Sequence, residues 1–237
     1  MSEQMEAINK EKLSYFTNLA HEFKTPLTLI QGPASQLVRQ TTDPKEKEDL
    51  QIINRNAQYL LSLVNQLIDL RKIDTQNLTL NYSQFNFSKF LNTTITDFSN
   101  LMKERNISFE KIYRLKSDHI YSDKENLHKI LFNLLSNAIK HTPDKGKITL
   151  HANQFIDKSN KLMQFISVTN SGSIIAPDEI DKIFNRFYRI PEQNKYTNYG
   201  QSSTGIGLHI VKELINLLDG TIKVKSSEKE GVSFRLY

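Results

Sequence analysis

The 237-residue sequence contains no cysteine. That excludes a disulfide framework and thiol chemistry, and it agrees with any compartment. No apolar run approaches the roughly 20 residues that a bilayer-spanning helix requires. The amino-terminal segment MSEQMEAINKEK also lacks the apolar core of a secretory signal. Internal repeats and low-complexity tracts are absent, and so is a strong charge excess. The 31 Lys and Arg against 26 Asp and Glu leave a net +5. Because the lysines are scattered among acids, they read as solvated faces and not as a nucleic-acid footprint. What remains is a composition of 38% hydrophobic and 24% charged residues, that of a soluble protein long enough for two modest domains.

The first 74 residues have helical periodicity. Leu13, Phe16, Ala20, Phe23, Leu27, Ile30, Ala34 and Leu37 recur at steps of three and four, the apolar seam of a helix from about 3 to 40. Asp43-Pro44, within a turn over Thr41 to Lys45, restarts a second helix that carries Leu50, Ile53, Ala57, Leu60, Val64 and Leu67 up to about Arg71. A single antiparallel hairpin cannot bury two such seams. A dimeric four-helix bundle would, and so would cover from the other domain of the same chain.

His21 stands one position past a seam residue, so its backbone is held by the core while its imidazole reaches the flank. Thr25, four residues on, shares that face. Pro26 removes a backbone donor and is expected to bend the helix one turn after the histidine. Spacing alone leaves His21 an ordinary exposed histidine. The letters around it, Phe16, His21, Glu22, Lys24, Thr25, Pro26 and Leu27, resemble the phosphoacceptor box of sensor histidine kinases. The following LTLIQGP resembles hybrid kinases of gut Bacteroidetes, which implies a larger natural polypeptide.

After Asp74 the periodicity changes. Leu78, Leu80 and Tyr82 alternate as a strand, 88 to 105 reads as one helix, and 107 to 122 holds two short strands. A helix over 123 to 141, strands over 147 to 155 and 162 to 169, a helix from about Gly205 to Leu218 and strands over 221 to 226 and 232 to 237 complete the chain. This mixture predicts an α+β two-layer sandwich with helices on one face of a mixed sheet. The domains are thus 1–74 and 75–237.

On the helix over 123 to 141, Asn133 and Asn137 share a face with Lys140, and His141 is adjacent. Two neutral oxygens and a cation aimed at one place suit a hydrated magnesium on phosphates, although they could equally form a polar surface. The string NLLSNAIKHTP resembles the N box of the GHKL (Bergerat-type) ATP-binding domains, shared by histidine kinases, Hsp90 chaperones, type II topoisomerases and MutL proteins. The resemblance implies that Asn137 ligates magnesium, that Asn133 supports it and that Lys140 contacts phosphate, with His141 beside them.

Downstream, VTNSGSII stands where the family's first glycine box, Asp-x-Gly-x-Gly-Ile, belongs. Asn170 replaces the aspartate that receives the adenine amino group, Gly172 is retained, and Ile174 replaces the second glycine. Asn170 can still accept, but hydrogen bonds to charged groups contribute about 1.5–3 kcal/mol and neutral ones about 0.5–1.5. The loss predicts nucleotide binding weaker by about tenfold. Ile174 cannot adopt glycine's special backbone angles, so the lid is expected to start along another path. IFNRFYR, with Phe184, Phe187, Tyr188 and Arg189, resembles the family's phenylalanine box, an apolar anchor for a lid over Pro191 to Ser202. For Phe184 simple core packing is the other reading. STGIGLHIVKEL resembles the second glycine box. Its Gly205 and Gly207 would let backbone N–H groups approach an anion at a helix start, with Ser203 where a further glycine is usual. Gly231-Val-Ser-Phe234 resembles the last, more structural glycine motif.

In family order, these motifs imply the catalytic core of a dimeric sensor histidine kinase. ATP and magnesium would bind the second domain, His21 would take the γ-phosphoryl group, Glu22 would orient its imidazole or accept its proton, and an aspartate of a response-regulator receiver would receive the phosphate. Thr25 resembles the position that helps water remove phosphate from that receiver. No direct nucleic-acid contact is expected. The chain is expected to be a fragment, the cytoplasmic portion of a sensor, reaching a membrane only through missing upstream segments. Two rivals stand beside this reading: a degenerate module that dimerises and binds nucleotide weakly without phosphotransfer, and another GHKL ATPase that uses ATP for clamp closure.

Overall fold

The computed structural model describes residues 22–75, 78–158, 160, 162–190 and 204–237. His21 and the expected lid lie outside the described residues. The chain divides into two compact units, Met1–Leu78 and Thr79–Tyr237.

In the first unit, helix α1 covers residues 22–40 within the described part and passes through Pro26, Gly32 and Pro33 without interruption. Helix α2, Pro44–Asp74, starts at the expected turn. The Asp43 carboxylate accepts from the N–H groups of Lys45 and Glu46, and Pro44 occupies the first turn, where its missing N–H costs nothing. The Ser35 hydroxyl donates to Asn54 Oδ1 at 2.8 Å, tying the helices into an antiparallel hairpin. The seams are only half used. Ala34, Ala57 and Val64 are buried, whereas Phe23 is 55%, Ile30 49%, Leu37 46%, Ile53 47% and Leu60 45% exposed.

The second unit is the expected sandwich. A five-stranded mixed sheet runs in the order β2-β4-β5-β7-β6, and a separate ribbon pairs β1 with β3. The strands are β1 Tyr82–Asn86, β2 Ser108–Arg114, β3 His119–Asp123, β4 Lys147–Ile156, β5 Leu162–Asn170, β6 Ile222–Ser227 and β7 Gly231–Leu236. The helices are α3 Phe87–Thr96, α4 Ser99–Glu104, α5 Lys124–His141 and α6 Gly207–Leu217. On β4 burial alternates: Ile148, Leu150, Ala152 and Gln154 point inward, aligned in register with Asn170, Val168, Ile166 and Gln164 of β5. Helix α5 packs on β5 and on α6. It buries Leu127, Ile130, Leu131, Leu134, Leu135, Ala138 and Ile139, a stripe at the helical period.

Two expectations are corrected. The single helix over 88 to 105 is two helices, broken at Asp97 and Phe98. Its middle is a β-branched run, Thr93 to Thr96, whose Thr93, Thr94 and Thr96 hydroxyls donate to carbonyls four residues earlier, which weakens helix continuation. Phe98 then turns into the core against Phe132, ring centroids 4.9 Å apart. The strand expected at Leu78 to Tyr82 forms instead at Tyr82–Asn86, where β3 supplies an antiparallel partner. The two short strands expected within 107 to 122 are present, β2 running parallel to β4 and β3 pairing with β1.

Candidate functional site

Helix α5 places the first group of site residues. Its N-terminus is fixed by Asp123, 2% exposed, whose carboxylate accepts from Asn126 N, Asn126 Nδ2 and Asn81 N at 2.7–2.9 Å. With the apolar stripe turned to the sheet, Asn133, Asn137, Lys140 and His141 are left half-buried along one side. Asn133 donates its Nδ2 to Lys129 O at 2.8 Å, which leaves its oxygen as the outward group. The Asn137 side chain has no hydrogen-bond partner among the described residues.

Lys140 and His141 close the C-terminal end of this face. Burial, and then the positive charge of Arg189, push Lys140 down to about 8. Burial, and then Lys140, push His141 down to about 4. At neutral pH Lys140 is therefore charged and His141 is neutral. A cation destabilised by burial and by a like charge suits a polyanion, which would relieve both. Arg189 was expected only as part of an aromatic anchor. Its charge gave a signal, but its distance from Lys140 in sequence hid the pairing.

The end of β5 supplies the third group. Asn170 is 2% exposed, and its Nδ2 donates to Ser173 Oγ at 2.7 Å, so its Oδ1 remains as an acceptor. Gly172 has φ +88°, and a side chain there would run into the Pro143 ring. Gly231, φ +77°, lies so close to the Asn170 carbonyl that any Cβ would collide with it, which explains a glycine in the last motif. Ile174 takes an ordinary negative φ and is 49% exposed. Beyond it, Ile175 N donates to Ser226 Oγ at 2.8 Å.

The phenylalanine-box segment joins the start of α6. Phe184 is buried at 8% exposure, but Phe187 is 59% exposed, so of the two only Phe184 is an apolar anchor. Arg186 Nε donates to His209 Nε2 at 2.9 Å, and His209 Nδ1 lies 3.1 Å from the Phe184 carbonyl. This arrangement requires a neutral imidazole protonated on Nδ1. The Tyr188 hydroxyl donates to Glu179. Phe187 N donates to Gly205 O at 3.0 Å, and a Cβ on Gly205 would stand 2.6 Å from the Phe187 carbonyl carbon. Helix α6 then opens at Gly207 with no side-chain cap, its first N–H groups open to an anion.

In the other unit, Glu22, Lys24, Thr25 and Pro26 are exposed on α1. The hydroxyl that bonds back to Lys24 O belongs to Thr28, at 2.8 Å, and not to Thr25.

Two family models match: the His Kinase A (phospho-acceptor) domain over residues 11–76, and the histidine kinase-, DNA gyrase B- and HSP90-like ATPase over residues 122–237. The chain belongs to the histidine kinase family. This kinase core is 38% identical over 235 residues to histidine kinase P4 of Formosa agariphila, covering 98% of the chain and 17% of that protein. It is 32% identical to the sensor histidine kinase TmoS of Ectopseudomonas mendocina, covering 99% of the chain and 23% of that protein. The chain thus spans about a fifth of the length of these curated relatives. In fold it resembles full-length ShkA, crystallised with AMPPNP, at TM-score 0.70 and 24% identity, covering 95% of this chain and 45% of that one. It also resembles ThkA in complex with the response regulator TrrA, at TM-score 0.61 and 24% identity, covering 99% of this chain and 65% of that one.

The kinase core therefore brings Asn133, Asn137, Lys140 and His141 onto one half-buried helix face, and Asn170 and Gly172 onto one strand end. Among its described residues no three His, Cys, Asp or Glu cluster to hold a metal. Among the described residues, no helix is long and apolar enough to cross a membrane.

Proposed function

We propose that this chain autophosphorylates His21 from ATP and passes the phosphoryl group to an aspartate of a response-regulator receiver. The observation that carries the reading is the half-buried face of α5, which presents Asn133, Asn137 and Lys140 together at the C-terminal half of one helix. The adenine amino group would donate to Asn170 Oδ1, with Gly172 allowing close approach. Lys140, Arg189 and the uncapped N–H groups of α6 at Gly207 would hold the phosphates, and Gly205 would keep that helix start against Phe187. His141, neutral, would donate or accept at their edge. Asn137, supported by Asn133, would ligate magnesium, which when bound neutralises charge on the phosphates.

Phosphoryl transfer asks for positioning and charge neutralisation more than for covalent help from the protein. The imidazole nitrogen of His21 would form the N–P bond as the bond to the ADP oxygen breaks, and the imidazole proton would pass to Glu22 or to water. Thr25, exposed on α1, would place water for the reverse task of removing phosphate from the receiver. The exposed seam residues Ile30, Leu37, Ile53 and Leu60 support a homodimer through the hairpin. The fold likeness to a kinase solved with its response regulator supports the receiver as partner.

The test is incubation with γ-labelled ATP and magnesium beside a His21→Ala variant. Acid-labile, alkali-stable label absent from the variant is expected. No label at millimolar ATP would leave a dimerising module that does not transfer phosphate.

A further inference from the structure

Arg105 lies between α4 and β2 in sequence and is 6% exposed. Its guanidinium donates from Nη1 to Ile139 O at 2.6 Å, from Nη2 to Thr142 O at 2.6 Å and from Nε to Asp144 Oδ1 at 2.8 Å. The sequence explains why α5 needs it. The N–H that would normally satisfy the Ile139 carbonyl belongs to residue 143, which is proline. Thr142 N reaches that carbonyl only at 3.4 Å, and the Thr142 hydroxyl is turned to Ala138 O at 2.5 Å. Arg105 supplies the missing donor, and its charge complements the negative end of the helix dipole.

The clamp continues in the backbone. Lys145 N donates to Arg105 O at 3.1 Å, and Ser108 N donates to Gly146 O at 2.9 Å. The two carbonyls held by the guanidinium bracket Lys140 and His141 in sequence. The residue after the second is Pro143, whose ring abuts Gly172. One buried side chain therefore fixes the element that carries the phosphate-side cation and the element that walls the base-side glycine.

We propose that Arg105 is a positioning residue for nucleotide: by holding the Ile139 and Thr142 carbonyls it sets Lys140 toward the phosphates and Pro143 against Gly172. The proposal rests on the nucleotide reading of this site. The planar fork matters, because two acceptors three residues apart need two donors at fixed separation, and a lysine offers only a point charge.

The test titrates the full chain with magnesium-ADP by calorimetry and measures autophosphorylation against ATP concentration, well below each variant's melting midpoint. Arg105→Gln is expected to raise the Kd for ADP and the KM for ATP by about tenfold, equivalent to about 1.4 kcal/mol. Arg105→Lys should recover part of this loss. Asp144→Ala removes an ion pair whose carboxylate is 66% exposed and should stay within about twofold of wild type. A variant that merely folded less would lose apparent kcat at unchanged KM. Folded Gln and Lys variants with wild-type Kd and KM overturn the proposal. Should the Gln variant not fold, an unchanged Kd in Arg105→Lys overturns it alone. A wild-type chain that binds neither ADP nor ATP overturns the nucleotide reading itself, and the proposal falls with it before any variant is made.

Discussion

The hairpin and the sheet unit both carry apolar residues at helical spacing, but only the sheet unit buries them. In α5 the whole stripe from Leu127 to Ile139 is inside. In α2, three times the length of α6, only Ala57, Val64 and Leu70 are buried, and Ile52, Ile53 and Leu60 stand out in water. The sheet unit closes its core against a five-stranded sheet, whereas two helices alone have only each other. On the proposed function, nucleotide binding belongs to a unit whose core closes within one chain, and the phosphoacceptor box lies on a unit whose seam is left open for a second copy.

The sharpest way to break this comparison is to charge the open seam. Ile53→Glu combined with Leu60→Glu should weaken dimerisation by more than about a hundredfold, because each carboxylate would be buried without a partner in the bundle. Sedimentation would show monomer. ADP affinity of the sheet unit should stay as in wild type. A wild-type chain that sediments as monomer at micromolar concentration would end the comparison at once.

Truncation sharpens it next. Leu134→Ala, at a side chain with no exposure, should cost about 2–5 kcal/mol in urea unfolding. The same truncation at Leu29, 69% exposed on α1, should stay within about 0.5 kcal/mol. Similar losses at both positions would mean that Leu29 is covered in solution.

Helix existence and the sharing of a helix face were legible in the sequence wherever one local rule decided them. Asp43-Pro44 marks the restart from which α2 begins, with the Asp43 carboxylate as its cap, and α5 begins within a residue of the expected start. The face of Asn133, Asn137 and Lys140 follows from the 3.6-residue period. What was not legible depended on partners distant in sequence. Tyr82–Asn86 is a strand because β3 lies beside it, and β2 leaves β3 for β4, which alternation within either strand cannot reveal. Arg105 and Arg189 belong to the same class. One is held by a carbonyl that lacks its usual donor because residue 143 is proline, the charge of the other bears on Lys140 from a position distant in sequence, and neither relation has a local signature.

Lys140 gives a prediction on pH. Its ammonium is held down to about 8 in the free site, and bound phosphates would raise it again. Nucleotide affinity should be flat below pH 8 and should fall by up to about tenfold per pH unit above it. Lys140→Arg should remove that fall, since arginine stays charged. Stability without nucleotide follows His141 at the other end of the scale. Its folded value of about 4 lies below the unfolded 6.5, so the unfolded chain binds the extra proton. Stability should be full above pH 6.5 and lost as pH falls toward 4. A calorimetric series across pH checks both.

The smallest expected effect tests whether the two units are as separate as the comparison holds. Asn170 has its backbone fixed under Gly231 and spends its amide nitrogen on Ser173 Oγ at 2.7 Å. In Asn170→Asp the Ser173 hydroxyl can rotate and donate, which leaves one carboxylate oxygen for an adenine amino group. A charged acceptor in place of a neutral one should tighten ADP binding by about tenfold. Inosine diphosphate, which lacks that amino group, should gain nothing. At 2% exposure the new carboxylate loses its hydration and has one protein donor, so the free protein should melt lower even as its complex gains. Dimerisation through the hairpin should not change. Equal gains for both nucleotides would remove residue 170 from base recognition, and a shifted dimer constant would show that the sheet unit and the hairpin are coupled through their cores.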